Sequence, residues 1–544
     1  MRADLPIRRL SFTLAALLGT STAFAQEAEE SPAPAEAKPP AADSEEEVPD
    51  VNTRAGYIPG YRRAPGLGLS PLVPRTAARS NGTIAYHAPS TDDNWTFKFT
   101  GFASASLRLS AGGRDDPTAD QSGLTVQAAP RTPDFYGAFN GTNATPGSWV
   151  DLHFQYGNAR VQSHVTLTTW KPARGADWTD VRSQNLIDQA YLQFEVPLLD
   201  NLRLNWTAGA FRNIYGGLGQ YGAGQYNTIM IGMPYGVGET ASFKWDLGTD
   251  YSVTLEHGIM GRLGKVPPGS GPTPFDSAQI GGKPSSWVNH AHLGLVINSE
   301  VPWAFSLHYL NNWSQDERDQ VDDPQTYWIN ESNRPDGNTS VYGFEARMLN
   351  NHWGNAAMAL AMADVVDGAL LSGMGFFGTS SGEELTKRFI GQRSGGNGKM
   401  YVAGFEYNLS WAKLLAYPES FWGEGEDLIT SVFATAGTVQ SRDPDADGRS
   451  MIKFGSEITY RWLSWLGFSA RYDHVVPNSK DGLETFDVIS PKILLRSDWL
   501  SHEQVTISYT KWFYGQHTHA EFPFEMPRDE LDDQMFAIHF GMWW

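Results

Sequence analysis

Trp95-Thr96-Phe97-Lys98-Phe99-Thr100-Gly101-Phe102-Ala103-Ser104-Ala105-Ser106-Leu107-Arg108-Leu109 reads in steps of two. Odd positions carry Trp95, Phe97, Phe99, Gly101, Ala103, Ala105, Leu107 and Leu109, whereas Thr96, Lys98, Thr100, Phe102, Ser104, Ser106 and Arg108 fall on even ones. Successive side chains on an extended backbone point to opposite faces, so this is a strand with one oily face and one wet face. It outruns the usual globular strand of about five or six residues. Its length suits a tilted strand crossing a bilayer, where about 9 to 11 residues lie in the apolar zone.

The same period continues to the last residue. Leu202, Leu204, Trp206, Ala208 and Ala210 alternate with Arg203, Asn205 and Thr207; Ile452, Phe454, Ile458, Tyr460 and Trp462 alternate with Lys453, Glu457, Thr459 and Arg461. After Leu463-Ser464 the chain returns with Phe468, Ala470 and Tyr472 on one side and Ser469, Arg471 and Asp473 on the other. Residues 94–544 divide in this way into eighteen strands, and one misread hairpin would make them sixteen or twenty. Short turns (Gly157-Asn158, Leu199-Asp200-Asn201, Gly248-Thr249, Leu463-Ser464) alternate with long polar loops at 110–148, 212–237, 261–287, 314–337 and 366–398. Only the connection 412–426 is long on the short-turn side. Alternating short turns and long loops, with an even strand count, predict an all-β fold: a single closed antiparallel transmembrane β-barrel with a disordered N-terminal tail. Soluble sandwiches and propellers also alternate, but these strands are long and no blade-length repeat recurs.

Composition narrows the function. The 544 residues contain no cysteine, which removes zinc-thiolate, iron–sulfur, disulfide and cysteine-nucleophile chemistry, and also any lipobox anchor. With 61 acidic against 41 basic side chains, the net charge of −20 argues against nucleic acid as a partner, which needs clustered Lys and Arg. Arg2, Arg8 and Arg9, an apolar Leu10–Phe24 run and Ala23-Phe24-Ala25 mark residues 1–25 as a signal peptide. Residues 26–50 hold nine acids and one Lys among Pro and Ala, too little apolar surface to offset chain entropy, and are read as a disordered tail. Residues 51–93 read as a linker or a small plug-like segment.

The terminal stretch Phe536, Ile538, Phe540, Met542 and Trp544, apolar at every second position and ending on an aromatic residue, resembles the assembly signal of Gram-negative outer-membrane β-barrel proteins. The resemblance covers the barrel region and is porin-like. Neither the third-loop motif of general trimeric porins nor an energy-coupling box is present. It implies an outer-membrane location, with outer-membrane lipid, the barrel assembly machinery and small solutes as partners, and a homotrimer as the expected oligomer.

Side chains assigned to the lumen are Lys98, Arg108, Arg160, Arg203, Lys244, Arg347, Lys453, Arg461, Arg471, Lys492 and Arg496, with Glu256, Glu345, Glu406, Glu457 and Asp473 among the acids facing them. Charges of both signs facing inward imply water there, because an unpaired ion in a dry interior costs several kcal/mol. The basic excess favours anions weakly, and the acidic loop 315–337 opposes it. The Gly/Tyr-rich stretch Ile214–Gly238, with Tyr215, Tyr221, Tyr226 and Tyr235, reads either as a constriction loop folded into the pore or as a surface loop packed on its own tyrosines. Asp443, Asp445 and Asp447 before Gly448 resemble the start of a calcium loop, the only cofactor suggested, and equally a hairpin tip. His290 and His292 share one strand face, and His517, His519 and Glu521 another. No nucleophile elbow, metallohydrolase helix or inward catalytic set is found, so the chain is not read as an enzyme. The function expected is diffusion of small hydrophilic solutes, with an export conduit or a non-conducting structural or lipid-active barrel as alternatives.

Overall fold

The computed structural model describes residues 95–111, 144–158, 160–171, 187–213, 215–218, 229–232, 234–263, 284–315, 336–351, 353–366, 390, 397–415, 427–476, 479–480, 485–497, 503–514 and 534–543. The signal peptide 1–25, the acidic tail 26–50, the linker 51–93, most of each long polar loop other than 212–237, and His517, His519 and Glu521 lie outside the described residues.

The strands are β1 (Thr96–Ala111), β2 (Ala144–Gly157), β3 (Val161–Lys171), β4 (Ile187–Leu199) and β5 (Leu202–Arg212), followed by two short ones, β6 (Tyr215–Gly217) and β7 (Ile229–Gly232). Next come β8 (Tyr235–Leu247), β9 (Tyr251–Leu263), β10 (Pro284–Ile297), β11 (Trp303–Gln315), β12 (Asp336–Asn351), β13 (Gly354–Val366) and β14 (Gly398–Ser410). A single turn of helix, α1 (Trp411–Leu414), leads to β15 (Asp427–Ser441), β16 (Ser450–Leu463), β17 (Leu466–Val476), β18 (Phe486–Leu495), β19 (Glu503–Tyr514) and β20 (Gln534–Trp543). All but β6 and β7 form one 18-stranded sheet. Every neighbouring pair is antiparallel, β5 passes directly to β8, and β20 pairs back onto β1 from Phe102↔Trp543 to Ala111↔Gln534. Each strand of that sheet therefore has a partner on both sides.

Alternation in the sequence becomes alternation in burial, with the usual sense reversed. Along β15, Asp427, Ile429, Ser431, Phe433, Thr435 and Gly437 are buried, whereas Leu428, Val432, Ala434 and Ala436 between them are exposed. On β9 the exposed side chains are Tyr251, Leu255 and His257, and the buried ones are Ser252, Thr254 and Glu256. Hydrophobes stand outside and polar groups inside, which water would penalise and hydrocarbon favours. Aromatic pairs cross the strands of the exposed face near the short-turn end: Trp95–Tyr156 at 5.2 Å, Phe99–Phe154 at 5.1 Å and Phe194–Trp206 at 5.3 Å between ring centroids. Trp245, Tyr251, Trp353, Trp462 and Trp465 are exposed at the same end, where an interfacial girdle belongs.

The turns follow from local chemistry. Asn158 Oδ1 accepts from the N–H groups of Arg160 and Val161, both at 2.9 Å, and so folds the chain between β2 and β3. Gly248, at φ +77°, makes the bend between β8 and β9 that a side chain would strain.

If hydrocarbon lies against the exposed face, Leu255→Arg and Leu307→Arg, each at a 55% exposed position, will lower stability in lipid vesicles by about 2–4 kcal/mol in urea unfolding. On a water-facing surface the same changes would stay within about 0.5 kcal/mol.

Candidate functional site

The inner face of the sheet holds the chemistry. Near the long-loop end of β5 the chain leaves the wall, runs through β6 and β7 as a small hairpin, and returns as β8. The hairpin lies on the inner face: Tyr215, Leu218, Met230 and Ile231 form one buried apolar cluster with Val341, Ala359, Ala361, Met400 and Val402. The wall is shaped to receive it. A Cβ at Gly343 would stand 2.7 Å from Ile231 Cγ2, and one at Gly404 would collide with Leu218 Cδ1. The alanines at 357, 359, 361 and 363 leave the rest of the seat flat.

Polar contacts pin the base of the hairpin. Tyr215 Oη donates to Glu256 Oε1 at 2.6 Å and lies 3.0 Å from His290 Nδ1 and 3.2 Å from Asn213 Nδ2. Thr240 Oγ1 reaches the other nitrogen of His290 at 3.2 Å. The Tyr215 ring stacks on His292 (5.9 Å, 14° between planes) and tilts against His308 (4.6 Å). One residue on, Gly216 N–H donates to Glu345 Oε2 at 3.1 Å; Arg347 Nε donates to the other oxygen of that carboxylate, and His308 Nε2 lies 3.4 Å away. Burial here is nearly complete, so each charge depends on a partner rather than on water.

A second cluster sits on β16, β17 and β18. Arg471 forks onto Asp473 through Nε (2.9 Å) and Nη2 (2.8 Å) and reaches Glu457 through Nη1 at 3.5 Å. Glu457 also accepts from Lys492 Nζ at 2.9 Å and Ser469 Oγ at 2.7 Å. The guanidinium plane lies over Phe433, 4.5 Å from the centroid, adding a cation–π contact. A third group stands where α1 begins: Asp427 accepts from Ser410 Oγ (2.7 Å), from Ala412 N–H (3.0 Å) and from Arg461 Nη2 (3.3 Å). A fourth, more open group at the short-turn end joins Arg203 to Glu195 (3.3 Å) and Asp246 (3.7 Å), and Lys244 to Asp246 (3.6 Å).

Of the charged residues expected inside, Arg203, Lys244, Glu256, Glu345, Arg347, Glu457, Arg461, Arg471, Asp473 and Lys492 thus take part in these networks. Glu406 is buried and accepts from Asn408 Nδ2 at 3.0 Å. Lys453 and Arg496 are half-buried, the latter just past the end of β18. Arg160 lies in the β2–β3 turn and is exposed. Lys98 and Arg108 are on β1, but their side chains lie outside the described ones, as does that of Tyr235 at the start of β8. Tyr221, Tyr226 and Trp544 are outside the described residues, while Phe536, Phe540 and Met542 are exposed on the apolar face of β20 and Ile538 stands half-buried in the same row. Asp443, Asp445 and Asp447 occupy the turn between β15 and β16: Asp443 Oδ1 accepts from Asp445 N–H and Asp447 Oδ1 from Ser441 N–H, each at 3.0 Å. Among the described residues no group of three His, Asp or Glu is arranged to hold a metal ion. His308 and Asp427 escaped the sequence reading. His308 was legible from its place in the buried set Ser306, His308 and Leu310, whereas Asp427 opens its strand and had no flanking pattern.

An apolar exterior, an aromatic rim and an interior of charges and hydrogen-bonding groups are what a wall of strands in a bilayer requires. No family model and no curated relative matches the chain. Solved structures do: the outer membrane channel DcaP of Acinetobacter baumannii is similar at 10% identity and TM-score 0.38 over 84% of this chain and 100% of that one. OpdQ of Pseudomonas aeruginosa is similar at 9% and 0.36 (82% and 97%), and the outer membrane protein OmpT of Vibrio cholerae at 8% and 0.35 (84% and 100%). DcaP is an outer membrane channel and OmpT an outer membrane protein.

Removing Arg471 takes from Asp473 its cation and from Glu457 one of three donors. Arg471→Met will lower stability by about 3–5 kcal/mol in vesicle unfolding, and adding Asp473→Asn to it will recover part of the loss; equal stability of Arg471→Met and the unaltered protein would show that the cluster is wet.

Proposed function

We propose that the cyclic sheet is a closed, membrane-spanning barrel and that the protein is an outer-membrane channel for small hydrophilic solutes. The observation that carries this is the pairing of an exposed apolar face with an inner face of charged and hydrogen-bonding residues on the same eighteen strands. Such an arrangement suits hydrocarbon outside and solute inside. The β6–β7 hairpin serves as the constriction, because it occupies interior space and is seated on the wall by Ile231, Leu218 and Tyr215.

The selectivity follows from the pairing of charges. Arg203, Lys244, Arg347, Arg461, Arg471 and Lys492 each stand beside a carboxylate. A wall whose cations are neutralised by adjoining carboxylates presents dipoles rather than net charge to a passing ion, so discrimination by sign is weak. This replaces the anion preference that the count of basic residues suggests. A second reading, a barrel that does not conduct at rest, is favoured by one observation: Arg347 and Arg471 are among the largest fully buried side chains.

Reconstitution into a planar bilayer separates the two. The channel will give discrete conductance steps with a reversal potential near zero under a salt gradient. Replacing residues 215–232 with a short Gly/Ser linker will raise the step size severalfold, since it removes the constriction. Silence of both proteins would leave the non-conducting barrel.

A further inference from the structure

Three imidazoles gather where the hairpin meets the wall, and only one of them is needed to hold Tyr215 Oη. The other two face each other: His292 Nδ1 and His308 Nδ1 are 3.1 Å apart, with ring centroids at 4.7 Å. A contact between two ring nitrogens requires that one carry a proton and the other a lone pair. Neither Nε2 makes a hydrogen bond, and that of His308 lies 3.4 Å from Glu345 Oε2, close enough to feel its charge.

We infer that this histidine pair is an acid-sensitive latch on the β6–β7 hairpin, fastened when at least one of the two rings is neutral and released when both are protonated. The inference rests on the channel reading for its consequence, a change in conductance. Two imidazoliums cannot share one hydrogen bond, since both nitrogens then donate, and their charges repel at 3.1 Å in a buried setting. Both rings touch Tyr215, so any turn that separates them withdraws the surface on which the hairpin base is stacked.

The groups that face the pair decide how much positive charge it tolerates. Glu256 comes from β9, His290 from β10 beside His292, Glu345 and Arg347 from β12, and Tyr215 from the hairpin itself. Among the described residues the two carboxylates and one guanidinium leave a single negative charge. One imidazolium is balanced, and a second is not.

The chain has no cysteine, so an engineered pair can be read without background. A Cβ at residue 343 would lie 2.7–2.9 Å from the Ile231 γ-carbons, close enough for Ile231→Cys with Gly343→Cys to form a disulfide that fixes the hairpin on the wall. Conductance would be recorded at about pH 7.5 and about pH 5 for the unaltered protein, for His292→Gln with His308→Gln, and for the disulfide variant before and after reduction. Expected are a severalfold rise in conductance on acidification for the unaltered protein, loss of that response in the double Gln variant, and its loss in the oxidised disulfide variant with return on reduction. A response unchanged in the Gln variant would overturn the latch while leaving the channel intact. Absence of conductance in every protein would remove the channel, and amide exchange of peptide 215–232 in detergent, corrected for the intrinsic effect of pH, would then judge the latch alone. Faster exchange on acidification in the unaltered protein but not in the Gln variant supports it; equal protection at both pH values refutes it.

Discussion

A backbone surrounded by hydrocarbon must find every hydrogen bond within itself, and a sheet does so only when it has no edge. The pairing of β20 with β1 supplies such bonds from Phe102↔Trp543 to Ala111↔Gln534. The rest of the structure depends on it: without the pairing, Leu107 and Ile538, which face each other across it, would border a row of unpaired N–H and C=O groups at the same place where large apolar side chains are exposed. The aromatic and aliphatic exterior and the cyclic ladder are thus two answers to one solvent.

Inside, the opposite problem arises. Side chains that alternate away from lipid are polar by necessity, and once enclosed they have little water to solvate them. The structure resolves this by pairing, with Arg471 held on Asp473 and Glu457, Arg461 on Asp427, and Glu345 bound by Arg347, His308 and the hairpin N–H of Gly216. A buried ion pair is weak evidence for stability, but loss of one member is expensive. Such networks therefore define positions sharply, and the hairpin is positioned by the same means: Leu218, Met230 and Ile231 fit glycine and alanine hollows while Tyr215 and Gly216 join the charge network.

Most of the strand architecture was legible in the sequence because its signal is local. Adjacent residues reveal which face each belongs to, and all eighteen strands of the sheet fall where the period of two puts them. The misjudged parts are those where local preference and tertiary pairing disagree. The sequence places 110–148 in a loop; β2 begins at Ala144, because Pro146 and Gly147 extend the ladder opposite Leu107 and Ser106 of β1. Similarly, β6 and β7 are too short and glycine-rich to show a period, and they became strands by pairing with each other inside the larger sheet.

From its residues alone this protein had a legible wall: where the long strands run, and which side chains share a face, both because an extended backbone alternates its side chains whatever lies far away in the chain. Only the tertiary structure decided what the interior does. Tyr215 meets Glu345's neighbourhood through Gly216 across 129 positions of sequence, and whether an inward arginine is a free charge or half of a neutral pair depends on register between strands. Neither is encoded in any one segment, because both are distances that exist only after the sheet has joined its ends.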